Sequence, residues 1–287
     1  MTGHAGVNSG QELGRSSLTW DADRGYVDVV VQLLKSPKLN LDTIDLEASK
    51  YQQKPLYLAA ARDHESISRL LFAHTQVHEQ SHLIVGAALT GGNIRILQAI
   101  LDKIPHALDL YQLHEEVTPI ITVVQKGTKQ MLRYLLSCND IDVSNVSEDG
   151  GTALLAAVQS GDVRKVKAIM EHPDLDVNLP VIYNGRPARA MLNFAAWKVS
   201  CGREILQLLV AHPDMNANCP GDECELTAFA AAAGANNAEL LNLLLARKDM
   251  DRLPIDTLNF TPLMCAAGSG PKDTLNILLT VPETLTE

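Results

Sequence analysis

Aromatic residues make up only 4% of this 287-residue chain, with four Phe and two Trp. That excludes a core built on large rings and leaves Ala and Leu to fill it, as expected where helices stack closely. Long apolar runs are also missing. No stretch of about 18 apolar residues is present for a membrane span, and residues 1–17 lack the apolar core of a secretory signal peptide. Those residues read as a flexible leader, and a cytoplasmic protein is expected. Basic charge is short as well: 24 Lys and Arg stand against 34 Asp and Glu, for a net charge of −10. This argues against nucleic acid or an anionic membrane as the main partner, since both need a basic surface. It permits a protein partner that carries a basic patch.

Cysteine is sparse and odd in number: Cys138, Cys201, Cys219, Cys224 and Cys265. Scattered in this way, they read as reduced thiols rather than as a disulfide framework. Cys219 and Cys224 resemble half a zinc site, but no second pair of ligands follows at suitable spacing. The chain has no Walker-type glycine loop, no Gly-x-Gly-x-x-Gly after a strand and no His-Glu-x-x-His. No cofactor or metal is expected. His172 and His212 each precede a proline at a helix end, where a histidine can cap carbonyls and complement the helix dipole.

What is present is a repeat. Eight aliphatic doublets close helical stretches: Leu33-Leu34, Leu70-Leu71, Ile100-Leu101, Leu135-Leu136, Ile169-Met170, Leu208-Leu209, Leu243-Leu244 and Leu278-Leu279. Their second members are 37, 30, 35, 34, 39, 35 and 35 residues apart, a period that marks a stacked array. About fifteen residues upstream of several doublets lies a second shared feature. It reads Lys54-Pro55-Leu56-Tyr57-Leu58-Ala59-Ala60, Thr118-Pro119-Ile120, Thr152-Ala153-Leu154-Leu155-Ala156-Ala157 and Thr261-Pro262-Leu263-Met264-Cys265-Ala266-Ala267. Thr is a good N-cap, and Pro at the first helical position loses no hydrogen bond. Gly25, Gly91, Gly127, Gly161, Gly202, Asn236 and Gly270 then stand where the first helix should end in a left-handed turn. A second amphipathic helix follows, as in residues 162–170, whose apolar side chains Val163, Val166, Ile169 and Met170 form one stripe.

These features resemble the Thr-Pro-Leu-His-x-Ala signature of ankyrin repeats. The loops Asp140-Ile141-Asp142-Val143, Asp174-Leu175-Asp176-Val177-Asn178 and Asp214-Met215-Asn216-Ala217-Asn218 are similar to the family's Gly-Ala-Asp-Val-Asn ending. The chain departs from the pattern where Pro37, Pro173 and Pro213 stand near the usual helix-ending Gly. Repeat three (residues 82–110) and repeat six (residues 185–218) are the least regular. The resemblance implies an all-α solenoid of about eight divergent helix-turn-helix repeats over residues 18–282. A leader (1–17) would precede it and a tail (283–287) would follow, with the first and last repeats as caps.

It also implies a function. Partners of ankyrin proteins usually dock on the hairpin tips and the first helices of the concave side. By that rule the candidate binding residues are Tyr111, Glu115 and Glu116 ahead of repeat four, Glu148 and Asp149 ahead of repeat five, and Asp222 and Glu223 ahead of repeat seven. Carboxylates recurring one repeat apart would sum their fields and steer a basic ligand. The tip of repeat six is longer and holds Tyr183 and Arg186 around an Asn184-Gly185 hairpin signal. Trp197 and Lys198 follow, at the positions that face the groove in the family. An exposed Trp beside Tyr and Arg suits an interface anchor; a Trp packed against the alanines of 230–233 is the competing reading. The whole reads as a monomeric, non-enzymatic protein-binding scaffold: an inhibitor, an adaptor, or a microbial effector delivered into a host cytoplasm. A thiol hydrolase using Cys201 or Cys224 is the alternative.

Overall fold

The structure is a computed structural model; it describes residues 16–37, 39, 55–74, 81–109, 117–138, 141–183, 186–187, 190–197, 202–221, 226–269 and 272–282. The chain divides into two compact units, Met1–Asn139 and Asp140–Glu287.

Among its described residues the first unit holds the helix pairs α1 (Ser17–Arg24) with α2 (Val27–Leu34), α3 (Pro55–Ala61) with α4 (Glu65–His74), α5 (Ser81–Gly91) with α6 (Ile94–Lys103), and α7 (Pro119–Lys126) with α8 (Lys129–Leu136). The first helices stack in the order α1, α3, α5, α7, and α2, α4 and α6 stack beside them. The second unit repeats the plan with α9 (Ala153–Ser160) and α10 (Val163–Met170), α11 (Met191–Trp197) and α12 (Arg203–Ala211), α13 (Ala228–Gly234) and α14 (Ala238–Leu245), and α15 (Pro262–Ser269) and α16 (Lys272–Leu279). Here α11, α13 and α15 stack in one row and α10, α12, α14 and α16 in the other. Between α10 and α11 a short antiparallel ladder pairs Ile182 with Pro187 and Tyr183 with Arg186.

Helices of 7–11 residues are marginal alone, so packing and caps must hold them. The caps are local and were foreseeable. Thr118, Thr152, Thr227 and Thr261 each accept, at the hydroxyl, the backbone N–H three residues on. Packing then rests on alanine. All of residues 153–158 and 228–233 are buried, so backbones approach where larger side chains would hold them apart.

The turns after the first helices obey two rules rather than one. Gly25, Gly161 and Asn236 are left-handed as expected, and so is Asp63, while in repeat three the left-handed residue is Gly92 and not Gly91. Gly127 and Gly202 are extended instead. At Gly127 space is the constraint: a Cβ there would lie 2.9 Å from the Leu89 carbonyl oxygen and from Val123. Gly270 lies outside the described residues. His172 and His212 also depart from expectation. Each ring Nδ1 accepts the backbone N–H of Asp174 or Asp214, 3.3 Å away, which closes the turn after the helix rather than capping its carbonyls.

A hydrogen-bonded ladder ties the loops of the second unit together. Ser144 Oγ donates to the Asp174 carbonyl and accepts from Asp176 N–H. Asn178 bridges likewise to Asp214 and Asn216, and Asn218 to Asp249 and Asp251. Arg247 adds a bolt: Nη1 donates to the Val210 carbonyl at 2.6 Å and Nη2 to the Met215 carbonyl at 3.0 Å, while Asp249 holds the guanidinium.

Candidate functional site

The described candidate residues all fall in the second unit. Ahead of α9 the chain turns at residues 147–151, where Ser147 N–H donates to the Gly151 carbonyl and Gly150 takes a left-handed φ of 79°. Asp149 Oδ1 accepts from Ser147 Oγ at 2.6 Å and from Gly151 N–H at 3.1 Å. The Ser147 hydroxyl first, and then the Gly151 amide, hold the Asp149 carboxyl below its ordinary range. That carboxylate therefore shapes the turn, and Glu148 is exposed at its apex. The next tip leans on this one: Ile182 N–H donates to the Gly150 carbonyl, and a Cβ on Gly150 would meet the Ile182 side chain.

The Asn-Gly signal is answered by a real hairpin. Tyr183 and Arg186 are direct partners across the two-stranded ladder that flanks residues 184–185. After the ladder, α11 buries its first six residues and then exposes Trp197 to 59% of its surface. The alanines of 230–233 are buried where α13 stacks on α11, whereas the indole at the end of α11 is largely open to solvent. Buried Asn193 on the same helix donates to the Leu226 carbonyl, and Gly221 N–H donates to the same oxygen, so the stem of the following tip is pinned to α11. Tyr111, Glu115, Glu116, Lys198, Asp222 and Glu223 lie outside the described residues.

Burial, with Asp256 second, pushes the Cys265 thiol up, the opposite of what a nucleophile needs. Cys138 donates to the Tyr134 carbonyl within its own helix end. Cys201 and Cys224 are outside the described residues. Among the described residues no group of three or more His, Cys, Asp or Glu is placed to hold a metal, and no helix is long and apolar enough to cross a membrane. In the first unit a cavity of about 430 Å³ is lined by Ser17, Trp20, Asp21, Arg24 and Tyr26. Its best surface is already covered, because the Arg24 guanidinium sits 5.1 Å from the centre of the Trp20 ring.

Two features of this region escaped the sequence reading. Arg247 gave no local signal, since its partners lie 32 and 37 residues away. The Asn178 and Asn218 ladder was visible only as the Val-Asn and Ala-Asn loop endings.

The comparisons with known proteins agree with the architecture. Residues 84–180 and 192–284 each match the family model described as ankyrin repeats (3 copies). No curated protein matches the chain. Helix pairs stacked through alanine, Thr-capped first helices and matches over more than half of the sequence lead to one conclusion: the chain belongs to the ankyrin-repeat family, whose repeats form protein–protein interaction modules.

Proposed function

We propose that the protein is a non-enzymatic scaffold that captures a protein partner at the tips and first helices of repeats five and six. The observation that carries this reading is Trp197. An indole exposed to 59% at the end of an otherwise buried helix contributes little to the fold, and Trp is prominent among residues that dominate binding energy. Tyr183 and Arg186 sit opposite one another on the hairpin just upstream, and Glu148 stands exposed on the neighbouring tip. With the chain at −10, the partner presents a basic patch beside an apolar pocket that takes the ring. Exposed charges of this kind act mainly on association rate and salt dependence. The same surface serves an adaptor, an inhibitor or a microbial effector.

Trp197→Ala and Glu148→Gln test this. A partner recovered from lysate by the native chain is expected to be lost with Trp197→Ala at every salt concentration. Glu148→Gln should flatten the salt dependence. Full recovery by Trp197→Ala overturns the proposal.

A further inference from the structure

Two loops of the second unit are closed by the same titratable group. After α10 the chain reads His172-Pro173-Asp174, and after α12 it reads His212-Pro213-Asp214. Proline cannot extend a helix, so each loop turns at once. The turns are built alike. His172 N–H donates to the Ile169 carbonyl, and the His172 carbonyl accepts Leu175 N–H; His212 does the same with Leu209 and Met215. Inside each turn the ring Nδ1 accepts the backbone N–H two residues on, from Asp174 or Asp214, at 3.3 Å.

The residue held by the ring is also the one that takes a rung of the loop ladder. The Asp174 carbonyl accepts Ser144 Oγ at 3.0 Å, and the Asp214 carbonyl accepts Asn178 Nδ2 at 2.6 Å. Each rung returns to the same loop two residues on, at Asp176 N–H or Asn216 N–H. A ring that lets go of its N–H therefore loosens the residue to which the preceding repeat is fastened. The next repeat differs in one respect. Arg247 takes the place of the histidine, with its N–H on the Leu244 carbonyl, and the Asp249 carbonyl accepts Asn218 Nδ2 at 2.7 Å. There Arg247 binds the Asp249 carboxylate and holds that carboxyl below its ordinary range.

We propose that His172 and His212 form a pH-sensitive latch, which closes the loops ahead of repeats six and seven when the rings are neutral and opens them when the rings are protonated. A neutral imidazole that carries its proton on Nε2 leaves Nδ1 as an acceptor, whereas an imidazolium donates from both nitrogens and cannot receive an N–H. Protonation sets donor against donor at Asp174 and Asp214, and the ring must swing away. A second resting place lies close by, because a cation is stabilised by the carbonyls that end α10 and α12. Imidazole is the side chain whose charge ordinarily changes between about pH 5 and 8. The charged groups on these loops and on those laced to them are Asp142, Glu171, Asp174 and Asp176 around His172, with Lys167 paired to Glu171. Around His212 they are Asp214, Asp249 and Arg247, whose guanidinium sits on the Val210 and Met215 carbonyls. Carboxylates, ammonium and guanidinium groups keep their charge through mild acid, so the imidazoles alone switch.

Amide hydrogen exchange on the full chain, expressed as protection relative to the free-peptide rate, tests this without any partner. From about pH 7.5 down to about pH 5.5, protection of the Asp174, Asp176, Asp214 and Asn216 amides is expected to fall about fivefold, the worth of one hydrogen bond. Asp251, whose N–H donates to Asn218 Oδ1 in the repeat fastened by Arg247, should keep its protection. The double variant H172N/H212N puts an amide oxygen in the place of Nδ1. That oxygen also accepts the N–H two residues on but does not titrate, so protection should hold at both pH values. Native protection that is the same at both values overturns the proposal, and so does a double variant that loses protection as the native chain does. The loop of His172 leads into the hairpin of Tyr183 and Arg186, so partner capture should weaken over the same interval in the native chain and not in the variant. That consequence rests on the proposed function, whereas the exchange result does not, so either reading can fail without the other.

Discussion

Asp149 shows how a single side chain can look like a binding residue and serve as a structural one. Its position on a tip suggested a role in attracting a basic partner, but Oδ1 is taken up by the Ser147 hydroxyl and the Gly151 amide. Those bonds favour the charged form and hold its pKa below the ordinary carboxylate range. A depressed folded-state pKa contributes stability above the unfolded value, and that contribution is lost as the pH falls through the folded value. Asp149→Ala is therefore expected to melt below the native protein at neutral pH, with the difference closing in acid. A difference that persists unchanged to low pH would show that the carboxylate charge is irrelevant to the turn. Glu148, exposed at the apex of the same tip, is the better candidate for steering.

At the scale of elements, stability passes from repeat to repeat through a few polar links laid over an alanine core. Arg247 is one of them. Its side chain is 16% exposed, it serves the Val210 and Met215 carbonyls of the preceding repeat, and Asp249 orients its fork. Arg247→Ala leaves two carbonyls without that donor and should cost about 2–3 kcal/mol in urea unfolding. Arg247→Lys should restore less than half, because an ammonium cannot reproduce the planar fork. A loss no larger than that of an ordinary surface substitution would contradict this role. Thr118-Pro119 and Thr152 announced their helices correctly, because capping is decided within three residues. The hairpin around residues 184–185 was legible for the same reason. Gly91 was one residue away from the left-handed position, and Gly127 proved to be a matter of close approach to Leu89, which no local pattern records. Arg247 depends on contacts a full repeat away, and pattern alone could not find it.

For the molecule as a whole, the proposed function rests on the second unit. The tips and Trp197 combine an exposed ring with carboxylates and suit a basic protein. The central claim is that Trp197 is a surface residue held ready for a partner rather than part of the core, and the chain's two tryptophans allow a direct reading. With Trp20→Phe removing the other indole, the emission of Trp197 in the free protein should lie at the long wavelengths of a hydrated ring and be readily quenched by acrylamide. It should shift to shorter wavelength when a captured partner is added. Short-wavelength emission that resists quenching in the free protein would contradict the account.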